Sequence, residues 1–438
     1  MARQNTALTR QIARKASKTR QQGKKRLEQE QKRRRLIVGA VCALAAYAVA
    51  LNVATPNPIP MHTSLMTGQR WLNELLAGHP TRFREQLGLS KPAFSHLSFE
   101  LQFNSGLAAS KHVSADEKLA TFLHFARTGS SSRMLQECFQ RSAETISHSI
   151  YAILTLLVGA FYKKHVHLPP DETPPEIKSD PTLYPYFRNC RGAIDGSHFH
   201  AWVLQEAMAR YRNRKGFIGQ NVLAACNFAM PFVYILSGWE GSAADSHIFD
   251  YAREHDFAVP AGKYYLADAG FPLCDVLMTP YRGVRYHLKE WGTSQQKPKS
   301  REELFNLRHA QARNVIERIF GVLKRRWPVF TRAPEYPMDT QAMLVPAIAA
   351  LHNFLRVYDR DDEACDLGAM PTNNLTQSDL FQDFVDMEPR EITPEELGMS
   401  ISAAERKRAA ERRDIIAQQM WDDYKAVLAR RGEAPASG

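Results

Sequence analysis

The sequence predicts an α/β chain in which an all-helical N-terminal part gives way to a sheet flanked by helices. Three observations carry this. Between residues 61 and 168, apolar residues recur at helical spacing behind helix-start signals. After the proline-rich, acidic stretch His167–Pro185 the pattern changes to short apolar runs bounded by glycine and proline. Two of those runs close on an aspartate, Asp195 and Asp268, and a long amphipathic helix follows them.

The chain has 438 residues, 44% hydrophobic and 24% charged, which are values of a folding globular protein rather than a disordered one. Its charge is unevenly placed. Residues 1–35 hold thirteen Lys/Arg against Glu28 and Glu30, and so carry the whole formal net charge of +11. Lys24-Lys25-Arg26 and Lys32-Arg33-Arg34-Arg35 read as an import or polyanion-binding patch, placing the protein in the nucleus, on a basic disordered tail. Cys42, Cys138, Cys190, Cys226, Cys274 and Cys365 make no Cys-x-x-Cys pair and read as reduced thiols of an intracellular protein.

Residues 36–60 read as an apolar helix and a proline-rich linker. Leu36 to Leu51 lacks a charge, but about 24 Å of helix is short of the roughly 30 Å of a bilayer core, so a soluble or partner-binding helix is expected and a membrane is not. Within the helical domain, 61–168, Pro92 follows Ser90 in a first turn, and Ser114-Ala115-Asp116-Glu117 has capping-box form. Ser132–Phe139, a turn at Gln140-Arg141 and the helix from Ser142 resemble a helix-turn-helix, which makes Arg133, Arg141, Thr145 and His148 candidate DNA contacts. The plainer reading is a helical hairpin.

The α/β part is expected over 185–358. Ala193–Asp195 is its first strand, and Val222–Phe228 with Phe232–Leu236 form a hairpin around Met230-Pro231. Tyr264–Gly270 is a strand ending on Asp268, and Arg301–Trp327 is the amphipathic helix bearing Glu317. An acidic loop, 359–400, leads to a C-terminal amphipathic helix, 401–438, which docks on the core or mediates a homodimer.

Each acid has an ordinary reading alone. Asp195 or Asp268 would cap a loop, and Glu317 would pair with Arg313 one turn earlier. Together, carboxylates on strands and a helix suit hard divalent cations, which take oxygen ligands. No His-Glu-x-x-His or cysteine-rich spacing exists to hold zinc with His198 and His200.

Gly192-Ala193-Ile194-Asp195-Gly196-Ser197-His198, Tyr211-Arg212-Asn213-Arg214-Lys215-Gly216-Phe217, Gly238-Trp239-Glu240-Gly241-Ser242, Tyr265-Leu266-Ala267-Asp268-Ala269-Gly270 and Arg313-Asn314-Val315-Ile316-Glu317-Arg318 resemble, in order, the Harbinger-type DDE transposases and their domesticated nuclease relatives. The resemblance spans about residues 185–355. It implies a ribonuclease-H-like mixed sheet flanked by helices, with Asp195, Asp268 and Glu317 as a triad holding two Mg²⁺ or Mn²⁺ ions, and Asp245 in support. The implied activity is cleavage, and possible rejoining, of DNA phosphodiesters at transposon ends. A Myb-like DNA-binding partner is implied as well. Alanines 243, 244 and 269 depart from the family's usual residues without touching the triad. Arg212, Arg214, Lys215, Lys324, Arg325 and Arg326 are expected to neutralise phosphates, and His198 and His200 are weaker DNA candidates. The rival expectation is a domesticated, non-cleaving DNA-binding or scaffold protein.

Overall fold

In a computed structural model, residues 2–54, 59–286, 297–359 and 401–432 are described. The acidic loop expected over 359–400, with Cys365, lies outside them apart from Asp359.

Ala2–Ala54 forms one helix, α1, where a disordered basic tail was expected over residues 1–35. No proline interrupts the run before Pro56. Its Ala, Arg, Lys, Gln and Leu are strong helix formers, and that propensity outweighs the charge repulsion the tail reading rested on. This helix is a unit by itself; residues from Ser64 onward form a second.

The second unit begins with helices α2 (Gly68–Ala77), α3 (Pro80–Leu87), α4 (Lys91–Ser105), α5 (Ala115–Thr128), α6 (Ser132–Phe139), α7 (Ala143–Val158), α8 (Ala160–His165) and the short α9 (Pro175–Lys178). Their starts follow the sequence signals. Ser90, Ser114 and Ser142 each accept a hydrogen bond from the backbone N–H three residues on. α7 turns Ile146, Ile150, Ile153, Leu154 and Leu157 inward. It qualifies as membrane-spanning by length and composition together with α8, yet that apolar face lies in the protein core.

The sheet has five strands: β1 (Cys190–His200), β2 (Gly219–Cys226), β3 (Phe232–Glu240), β4 (Tyr264–Leu266) and β5 (Leu277–Met278). Their order is β3-β2-β1-β4-β5. β1, β2 and β3 pair antiparallel, while β4 runs parallel to β1 and β5 parallel to β4. α10 (Met208–Tyr211) lies between β1 and β2, α11 (Asp245–His255) between β3 and β4, and α12 (Arg301–Arg326), α13 (Met338–Tyr358) and α14 (Ala403–Arg430) follow β5.

The period of two along the strands sorts side chains to two faces. Ala193, Val222, Ala224 and Leu266 face the large core shared with α12, α13 and the N-terminal helices. Ile194, Leu223, Ala225, Tyr265 and Ala267 face a smaller core with α11. Residues 61–168, expected as a domain of their own, therefore share one core with the sheet. α7 packs on α13, which itself lies on β3.

Candidate active site

The sheet's register places the first two acids. Ala193 pairs with Leu266 across the parallel β1–β4 ladder. Asp195 and Asp268 each lie two residues beyond that pair, so both sit at the same end of the sheet, with Asp195 inside β1 on the α12 side. Asp268 lies past β4, which ends at Leu266, rather than inside the strand as expected. Its Oδ1 accepts from the Gly270 N–H at 2.8 Å, closing the turn that leaves the strand. Crevices beyond the carboxyl ends of parallel strands are where open α/β sheets hold their ligands.

α12 packs against β1 and brings Arg313 and Glu317 onto this end. The Arg313 side chain is only 10% exposed. Its Nη1 donates to Asp195 Oδ2 at 2.8 Å, its Nη2 donates to Glu317 Oε1, and its Nε donates to the Tyr286 hydroxyl at 2.8 Å. The helical i,i+4 pair was legible beforehand; the link to Asp195, 118 positions away, was not.

Asp245 arrives from the other face. It opens α11 and accepts from Asn221 Nδ2 at 2.6 Å. Gly196 faces the α11 side, and a Cβ there would fall 2.1 Å from Asp245 Oδ1. The missing side chain lets this carboxylate close on β1 beside Asp195.

Crowding has an electrostatic signature. Burial, then the neighbouring Asp268, Asp245 and Glu317 charges, push the Asp195 carboxyl up to about 8 against the pull of Arg313. Burial and Asp268 raise Asp245 to about 6, opposed by Asn221 and Arg214. Arg313 itself is held well above its usual range: the surrounding Tyr286, Glu317, Asp195 and Asp268 outweigh a burial cost that acts the other way.

The donor set, carboxylate oxygens with the buried and unpartnered Asn221 Oδ1 beside them, fits a hard divalent cation by chemistry. Among the described residues, however, no three His, Cys, Asp or Glu side chains are grouped closely enough to hold one ion. Arg313 lies between Asp195 and Glu317 and takes an oxygen from each.

The basic candidates divide. Arg212, Arg214 and Lys215 are exposed on the loop before β2, and Arg214 lowers the Asp245 carboxyl. Lys324 donates to the His198 carbonyl at 2.8 Å and lies 4.8 Å over the Phe199 ring; Arg325 is half-buried. Arg326 is a correction. It is 3% exposed, donates to the Gly88 carbonyl and pairs with Asp359, so it joins the helices to the sheet and reaches no phosphate. Its position supplied a signal, because Ile316, Ile319 and Leu323 put residue 326 on the buried stripe.

Arg141 is likewise spent inside the protein, donating from Nε and Nη2 to the two oxygens of buried Glu117 at 2.8 and 3.0 Å. Arg133 and His148 are exposed and Thr145 is half-buried, so the first turn of α7 keeps an open polar face. His198 Nε2 lies 2.9 Å from the Gly241 carbonyl, and His200 packs on Phe217, as ordinary strand side chains do.

Residues 194–353 match the DDE superfamily endonuclease family, and residues 63–159 match a domain of unknown function, DUF8040. The chain is 24% identical over 279 residues to Protein ALP1-like from Arabidopsis thaliana, covering 58% of this chain and 63% of that relative. It thus spans less than two thirds of the relative's length. No solved structure matches it. The helical N-terminal region, the five-strand mixed sheet and these matches agree in supporting a DDE transposase-like family.

Proposed function

We propose that the protein is a divalent-metal-dependent DNA endonuclease of transposase type. The observation that supports this reading is that Asp268, Asp245 and Glu317 act electrostatically on Asp195 near one end of the β1–β4 pair, with Arg212, Arg214 and Lys215 exposed on the loop before β2. DDE superfamily endonucleases generally use divalent metal ions, and Mg²⁺ or Mn²⁺ suits these oxygen donors. Asp195, Asp268 and Glu317 would hold it, and when bound it supplies an activated water and charge neutralisation for an in-line phosphodiester displacement.

The chain's own residues have separable tasks. Asp195 supplies the acid placed by the β1 register, and Asp268 the acid of the turn that leaves β4. Asn221 orients Asp245 through its amide. Burial and the neighbouring acids raise the Asp195 carboxyl, so a cation that binds there must compete with protons. Arg212, Arg214 and Lys215 neutralise DNA phosphates, so affinity falls as salt rises.

The test is nicking of supercoiled plasmid with Mg²⁺ or Mn²⁺. Wild type should cut, and Asp268→Asn should cut at least a hundredfold more slowly. Equal cutting by both would remove the acid assignment. One observation favours the rival, a domesticated DNA-binding protein that does not cleave: Arg313 already pairs with both Asp195 and Glu317 without any cation. DNA binding that chelator leaves unchanged, with no nicking by wild type, would establish that rival.

A further inference from the structure

Arg313 is positioned to control the site it neutralises. All three of its guanidinium nitrogens donate to groups around the acids: Nη1 to Asp195, Nη2 to Glu317 and Nε to Tyr286. A guanidinium bonded to a carboxylate leaves fewer of its lone pairs free for a cation, and adds a positive charge where a second one would arrive.

We propose that Arg313 is a latch on the cation site, which keeps Glu317 out of ligation until a DNA phosphate draws the guanidinium away. The proposal rests on the nuclease reading and adds its regulation. The reasoning is a competition between anions. Arg313 is a planar fork donor, and a phosphate diester offers it the same two-oxygen geometry as a carboxylate. Glu317 is the partner it gives up more readily. Asp195 is 17% exposed and reached from another element, whereas the Glu317 side chain is 34% exposed and faces solvent that can replace the lost bond. With DNA absent, the latch holds the acids neutralised. With DNA present, Arg313 engages phosphate, Glu317 is freed, and cation and DNA bind with positive coupling. Linkage then requires that each ligand raise the other's affinity by the same factor.

The experiment measures Mn²⁺ binding to the full chain by titration calorimetry, with and without a short DNA duplex, for wild type, Arg313→Met and Arg313→Lys. DNA is expected to tighten Mn²⁺ binding to wild type at least tenfold. Arg313→Met should bind Mn²⁺ at least tenfold more tightly than wild type without DNA, and DNA should add little more. Arg313→Lys, which keeps the charge but not the fork, should fall between wild type and Arg313→Met. Melting curves add a second reading, because Mn²⁺ should raise the midpoint of Arg313→Met more than that of wild type. If Arg313→Met folds poorly, the DNA dependence in wild type still decides. Mn²⁺ binding that is insensitive to DNA in wild type, or unchanged in a folded Arg313→Met, overturns the latch and leaves the nuclease reading standing. No Mn²⁺ binding by any of the proteins, with or without DNA, overturns both.

Discussion

At the residue scale, the crowded acids make a stability prediction with a definite sign. A free aspartate titrates near ~3.9. In the fold, burial and neighbouring acids hold Asp195 up at about 8 and Asp245 up at about 6. Between the unfolded and folded values, the native chain binds more protons than the unfolded one, so stability falls as pH rises through that window. In chelator, the wild-type melting midpoint should drop between roughly pH 4 and pH 8, most of the upper part coming from Asp195. Asp195→Asn should flatten that slope and melt above wild type near pH 8. An unchanged slope would show that Asp195 is not held protonated. Gly196→Ala makes a steric counterpart. Its Cβ would meet Asp245 Oδ1 at 2.1 Å, and the displaced carboxylate belongs to a short helix start rather than a flexible tip. A loss of about 1–3 kcal/mol in urea unfolding is expected, together with weaker Mn²⁺ binding. Unaltered values for both would mean that Asp245 moves aside freely.

At the element scale, α14 is docked rather than left outward. Glu405 accepts from Arg253 and from the Asp275 N–H, Tyr281 donates to Asp414, Tyr186 donates to Asp423, and Arg413 donates to the Thr279 and Pro280 carbonyls. Those to Asp275, Tyr281, Thr279 and Pro280 fix the chain around β5, the edge strand of the sheet, and α14 packs along α12. Met420 is fully buried in that contact. Met420→Ala should cost about 2–5 kcal/mol of stability without changing the mass of the particle in light scattering. A change of mass with no loss of stability would assign α14 to dimerisation instead. What the sequence disclosed follows the same division by element. Local signals were sufficient wherever neighbours in the chain decide the structure: the serine caps of α4, α5 and α7, the turn at Gln140, the hairpin at Met230 and the Arg313–Glu317 pair. Partnerships across the chain carried no such mark. Nothing near Asp195 foretells Arg313, and nothing near Arg141 foretells Glu117. The helix over residues 2–35 was missed for a different reason, since charge was weighed above propensity there.

At the scale of the whole second unit, the helices before residue 168 and the sheet share a core and are also bound through a joint at the end of α12. Trp327 is fully buried at the end of α12 and packs on Gly88, where a Cβ would lie 2.9 Å from the indole. Gly88 ends α3 in a left-handed conformation, with φ 79°, which a residue with a side chain adopts at a cost. Beside it, Arg326 donates to the Gly88 carbonyl at 2.8 Å, and Arg127 donates to the Arg326 carbonyl at 2.8 Å. Asp359 closes the joint by accepting from Arg84 at 3.2 Å and from the Ser90 N–H at 3.1 Å. A seam that holds a buried indole and buried charges cannot open without exposing both, so the two halves should unfold together. Calorimetry should therefore show one transition for residues 64–438, and Trp327→Ala should lower it by about 3–5 kcal/mol while keeping it single. Two separated transitions, with the mutation shifting only one, would mean that the helices and the sheet are independent domains. In that case the geometry of α12, and with it the placement of Arg313 and Glu317 against Asp195, would not depend on the N-terminal helices. With a single transition it does, because α12 carries the candidate site near its middle and the joint at its end.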